Sequence, residues 1–126
     1  MKDIKLVAEL INSDNEPIKI ETKGRYDKIN KIIEYVENDL NVKLKITNNK
    51  IILNRKNEDY DLNLEFELNK RLECKYKVKT IGLDLELDVY TSELKITDKE
   101  LYINYELFSE NNSIGVFKYK LLFEEW

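Results

Sequence analysis

A chain of 126 residues, 42% hydrophobic and 37% charged, is one domain, 1–126, long enough to bury a core without disulfides or metals. Its net charge of −4 and pI near 5.1 argue against a general nucleic-acid binder, which needs a basic excess to displace counterions. Histidine is absent and Cys74 is the single cysteine, so Ser-His-Asp and Cys-His catalysis, the usual zinc sites and an internal disulfide are all excluded.

From the start, Met1 to Ile11 alternates polar and apolar residues and includes Asp3 and Glu9. That pattern has no apolar signal core, and no run of about 18 apolar residues occurs anywhere, so no membrane span is expected. A lone thiol fits a reducing, cytoplasmic location. Ile18, Ile20, Thr22, Gly24 and Tyr26 then alternate with charged residues, the period-two mark of a half-buried strand. Residues 27–38 read two ways. Ile29, Ile32, Ile33, Val36 and Leu40 have helical spacing with Asp27 placed as an N-cap, and the same stretch is rich in strand formers after a Lys28-Ile29-Asn30 turn.

Asn48-Asn49 suits a two-residue hairpin turn. It predicts Ile46 opposite Ile51, Leu44 opposite Leu53 and Val42 opposite Arg55. A loop at 69–71 predicts Phe66 opposite Cys74 and Leu68 opposite Leu72. A type II turn at Ile81-Gly82 predicts Val78 opposite Leu85 and Tyr76 opposite Leu87. That register would also pair Lys79 with Asp84, Lys77 with Glu86 and Lys75 with Asp88. A last loop centred on Asn112 predicts Leu107 opposite Phe117, Tyr105 opposite Tyr119, Ile103 opposite Leu121 and Glu106 opposite Lys118. The register one residue away would bury Lys118 and Lys120, at a cost of roughly several kcal/mol. With Gly and Pro scarce and no repeats, the expectation is all-β: a single closed antiparallel up-and-down barrel of eight to ten strands.

Laid out this way, "IETKGRY", "IIEYVEND", "VKLKITNNKIILNRK", "LNLEFE" and "LDLELDVYTSELKITDKELYINYEL" stand in the order and spacing of a known family. From Ile18 onward the chain resembles the YwiB-like family of small bacterial barrels of unknown function. It departs at "KYKVKTIG", where a proline before the turn would be expected. The resemblance implies a calycin-type, lipocalin-like barrel and a strand rather than a helix at 31–37. It also implies the ligand class of such barrels, small and mostly apolar.

Arg55, inward at a barrel end, is the leading candidate to hold a carboxylate or phosphate. The commoner outcome for such an arginine is a frayed end or a head group reaching solvent. Tyr26, Tyr35, Tyr76, Tyr105 and Tyr119 also alternate inward and could line a pocket, although most inward barrel positions are simply packed. Lys75, Lys77 and Lys79 form a solvated face. Asp84, Glu86 and Asp88 are strung out by about 6.5–7 Å per step, too far apart to cage a metal. The carboxylates at 58–59 and 124–125 carry no glycosidase signal. Cys74 alternates inward, where a thiol is inert.

The chain therefore reads as a non-enzymatic module, without cofactor or metal, that binds a small apolar or anionic ligand through Arg55, Tyr26, Tyr35, Tyr76 and Tyr105. No nucleic acid or membrane is expected as partner. The alternative is a side-chain-filled barrel that works through its outer face, for instance as a homodimer joined at Tyr90, Tyr102 and Phe108.

Overall fold

The computed structural model describes residues 2–13 and 16–125. Ten strands follow one another: β1 (Lys2–Asn12), β2 (Ile18–Asp27), β3 (Ile32–Glu37), β4 (Leu40–Ile46), β5 (Lys50–Lys56), β6 (Tyr60–Glu67), β7 (Arg71–Val78), β8 (Leu83–Ile96), β9 (Glu100–Ser109) and β10 (Asn112–Glu125). Each pairs antiparallel with its chain neighbours, and β1 pairs with both β2 and β10, so the sheet closes into a barrel. Closure satisfies the backbone groups that an open sheet would leave at its edges.

Alternation decides what lies inside. Ile33, Leu44, Ile51, Leu53, Leu64, Phe66, Val89, Leu101, Ile103 and Leu121 are buried in one continuous core, while their sequence neighbours face out. Each such side chain contributes about 1.5–3 kcal/mol of transfer free energy.

Residues 27–38 form no helix. A turn covers 28–31, with Lys31 at φ 55°, and β3 follows. Asp27 still caps: its Oδ1 accepts from the backbone N–H groups of Ile29 (3.0 Å) and Asn30 (3.1 Å). The cap closes a turn because β2 and β4 offer β3 a partner on each side, and tertiary pairing outweighs local propensity. Ile29 is left 92% exposed and Val36 51% exposed, positions a helix would have turned inward.

The β4–β5 register is the expected one, including Val42 opposite Arg55. Three other hairpins keep the expected faces but slip by two residues. Between β7 and β8, a 3₁₀ turn at Lys79–Ile81 ends on Gly82 at φ 64°. It takes up four residues where the type II reading took two. Val78 therefore meets Leu83, Tyr76 meets Leu85 and Cys74 meets Leu87. Lys77 now opposes Asp84 and Lys75 opposes Glu86, but Glu73 opposes Asp88, and Arg71 Nε reaches Asp88 Oδ2 at 2.9 Å to offset that like-charge pair. Lys79 lies in the turn, its Nζ donating to the Asn57 carbonyl.

Between β9 and β10 the turn sits at Glu110 and Asn111, both with positive φ, rather than on Asn112. A bulge between Ser113 and Gly115 follows. Leu107 then opposes Gly115, Tyr105 opposes Phe117, Ile103 opposes Tyr119 and Leu101 opposes Leu121. Glu106 opposes Val116 instead of Lys118, and Ser113 Oγ donates to it at 2.6 Å. Lys118 and Lys120 remain outside.

The β6–β7 ladder runs from Tyr60 opposite Val78 to Asn63 opposite Lys75 and goes no further. Beyond it, β6 turns toward β8: Leu68 bridges to Thr91, and the Asn69 N–H donates to the Thr91 carbonyl at 2.8 Å. The expected pairs Phe66–Cys74 and Leu68–Leu72 do not form. The Cys74 sulfur instead accepts the Glu65 N–H at 3.3 Å. A two-residue slip returns every side chain to the same face, so the core survives it.

Candidate functional site

The up-and-down path puts the turns at 38–39, 57–59, 79–82 and 110–111 at one end of the barrel, together with the start of β2 at Ile18. Just inside that end, polar side chains converge. Strand β3 directs Ile33, Tyr35 and Glu37 inward, and the tight turn at 38–39 sets Glu37 opposite Leu40. On β5 the inward row Ile51, Leu53, Arg55 ends on the arginine. Arg55 Nη2 and Glu37 Oε2 meet at 2.7 Å, with the two side chains only 18% and 15% exposed. A guanidinium so far from water needs a carboxylate beside it.

Tyr35 lies deeper. Its hydroxyl and that of Tyr119 are 2.5 Å apart. Two strands separate β3 from β10 along the wall, so this contact crosses the barrel interior. Burial pushes the Tyr35 phenol up to about 12, against the opposing pulls of the Tyr119 hydrogen bond and Arg55. Burial raises Tyr119 well above its ordinary value, with Tyr35 adding to the rise. Tyr105 is raised by burial too, while Arg55 draws it slightly down. All three phenols therefore stay protonated at neutral pH and serve as hydrogen-bonding groups. Beside Tyr105, its cross-strand partner Thr91 is fully buried, and its Oγ1 has no hydrogen-bond partner.

Of the residues singled out in the sequence, Arg55, Tyr35, Tyr105 and Tyr119 share this electrostatic neighbourhood. Tyr76 is nearer the rim, edge-to-face with Tyr60 at 5.9 Å. Tyr26 is at the other end, edge-to-face with Phe123 at 5.3 Å. Glu37 was missed. Reading 31–37 as a strand makes Ile33, Tyr35 and Glu37 one face, which puts an acid on the Arg55 side of the barrel. That parity was the available signal.

Around the cluster the inward positions are apolar and partly open: Ile18 is 56% exposed, Leu83 43% and Leu85 38%. The arrangement offers an apolar rim above hydrogen-bonding groups. Burial raises the Cys74 thiol to about 11, so it is not a thiolate at neutral pH. Among the described residues no three acids or cysteines come together as a metal site, and no helix is long and apolar enough to cross a membrane.

Fold and site together define a closed ten-stranded antiparallel barrel with a polar cluster just inside one end. The chain belongs to the domain of unknown function family DUF1934, whose model matches residues 4–121. Its fold is similar to the crystal structure of the ywiB protein from Bacillus subtilis, with a TM-score of 0.76 at 18% identity over 99% of this chain and 92% of that one. The resemblance carried by the strand motifs therefore holds. No curated protein matches the chain.

Proposed function

We propose that this protein is a cytoplasmic, non-enzymatic binding module that holds a small ligand with an apolar body and a polar or anionic end, in the manner of calycin barrels. The observation that carries this reading is the buried Thr91 hydroxyl beside Tyr105, which has no protein partner. Such a group is costly, roughly 1–3 kcal/mol, unless something else satisfies it. The partly exposed aliphatic rim gives the apolar body a place, and the Arg55–Glu37 pair and the phenols give the polar end partners. Shared architecture alone would not support a function.

Native mass spectrometry of the protein, purified gently from the cells that make it, tests the reading. A reproducible added mass is expected, and it should be lost in Arg55→Ala/Glu37→Ala, a pair of changes that leaves no buried charge behind. A clean apo mass in the wild type, as monomer or dimer, would overturn the reading and leave the filled, surface-acting barrel in its place.

A further inference from the structure

The outer face of the β2–β5 wall is independent of the interior. Strands β2 and β3 pair only from Gly24 opposite Tyr35 to Asp27 opposite Ile32. Beyond Gly24, toward Lys23 and Val36, they part. Gly24 is an inward position of β2, packed against Leu6 and Tyr35 where the two strands are still paired. A Cβ there would lie 2.5 Å from the Glu34 carbonyl oxygen and 2.8 Å from Leu6 Cδ2, so only glycine permits this approach. Where the strands part, a groove of about 640 Å³ lies on the outside, within the size range of small-molecule sites.

The charges along it are uneven. Lys23, Arg25, Lys43 and Lys56 line the groove against Asp3 and Glu34, a local balance of four cations to two anions on a chain of net charge −4. Arg25 stands between Asp3 and Glu34 in the ladders, and Glu34 opposes Lys43. Even so, Arg25, Lys43 and Lys56 form no ion pair with any described residue. Lys28, Lys50, Lys70 and Arg71 have carboxylate partners, while other surface lysines such as Lys19, Lys45 and Lys120 form no ion pair with a described residue either, so what sets Arg25, Lys43 and Lys56 apart is that they share one recess. An uncommitted guanidinium fork with two uncommitted ammonium groups in a recess suits the linked oxyanions of a phosphate chain.

We propose that this groove binds a small polyanion carrying two or more phosphate groups, with Arg25 as the bidentate contact and Lys43 and Lys56 as point charges. Binding here does not depend on occupancy of the interior.

The test is an NMR titration of the whole protein with tripolyphosphate at about 0.15 M salt, where diffuse surface attraction is largely screened. Saturable one-to-one binding is expected, with the largest amide shifts at Gly24, Arg25, Val36 and Lys43. Arg25→Gln and Lys43→Gln should each weaken it roughly tenfold or more. Lys118→Gln, an exposed cation on β10 outside the groove, should leave it unchanged. Non-saturating shifts spread over the surface, or an equal loss in Lys118→Gln, would overturn the proposal. A single-stranded oligonucleotide that displaces tripolyphosphate at lower concentration would overturn the assignment to a small ligand.

Discussion

One stretch of wall, β2 to β5, carries an arginine on each of its two sides. Arg55 points in and is held by Glu37 at 2.7 Å. Arg25 points out into a recess and is paired with nothing described. The difference follows from solvent. Inside, an unpaired guanidinium would cost several kcal/mol, so the fold must supply a counterion. Outside, water and salt solvate the charge at little cost, so a cation can remain uncommitted. Interior polar groups thus report on stability first, and groove cations on binding alone.

The largest test of that contrast is alkaline stability. Folding raises Tyr35 from 10 to about 12 and Cys74 from 9 to about 11, and burial raises Tyr119 and Tyr105 as well. These acids have higher pKa values folded than unfolded. The unfolded chain therefore loses protons first, and stability, intact below about pH 9, falls as pH rises through 9 to 12. Urea denaturation at stepped pH should show a loss of several kcal/mol by pH 12. A flat profile would mean that the interior phenols reach water.

Next comes Glu37→Leu, which strands Arg55. A loss of about 3 kcal/mol is expected, most of it restored in Glu37→Leu/Arg55→Met. A loss below about 1 kcal/mol would show that Arg55 swings to solvent, erasing the inside–outside distinction. Gly24→Ala should cost about 2 kcal/mol, because its methyl group meets the Glu34 backbone oxygen, which cannot give way, as well as the Leu6 side chain. The same variant should perturb the groove. Tyr35→Phe leaves the Tyr119 hydroxyl buried without its partner and should cost about 1–2 kcal/mol. Smallest is Arg25→Gln: within about 0.5 kcal/mol of wild type, because the side chain is exposed and unpaired. A larger loss there would give Arg25 a structural role and weaken the case for a binding groove.

Much of the barrel was legible. Period-two alternation located the strands, and the parity of Leu53 and Arg55 placed the arginine inside; the parity of Ile33, Tyr35 and Glu37 was available for the acid and went unread. The β4–β5 register followed from Asn48-Asn49 because a two-residue turn leaves one solution. Less legible were the longer turns. The 3₁₀ turn at Lys79–Ile81 absorbs two residues more than expected, and at the last hairpin the turn at Glu110–Asn111 and the one-residue bulge after Ser113 together shift the pairing by two, so beyond them each side chain keeps its expected face. Alternation cannot detect a shift of two. The helical spacing at 29–40 was a true local preference that lost to pairing with β2 and β4.

The sequence by itself determined an all-β chain, its inside and outside, the absence of histidine chemistry, and an arginine at the end of an inward row. Each of these depends on residue type and local period. Only the tertiary structure decided that Glu37 meets Arg55, that Tyr35 meets Tyr119 across the interior, and that β2 and β3 part beyond Gly24 beside a groove that gathers Arg25, Lys43 and Lys56. Those contacts join strands that are not neighbours in the wall or depend on where two strands part. They are set by how the closed sheet curves, which no local pattern encodes.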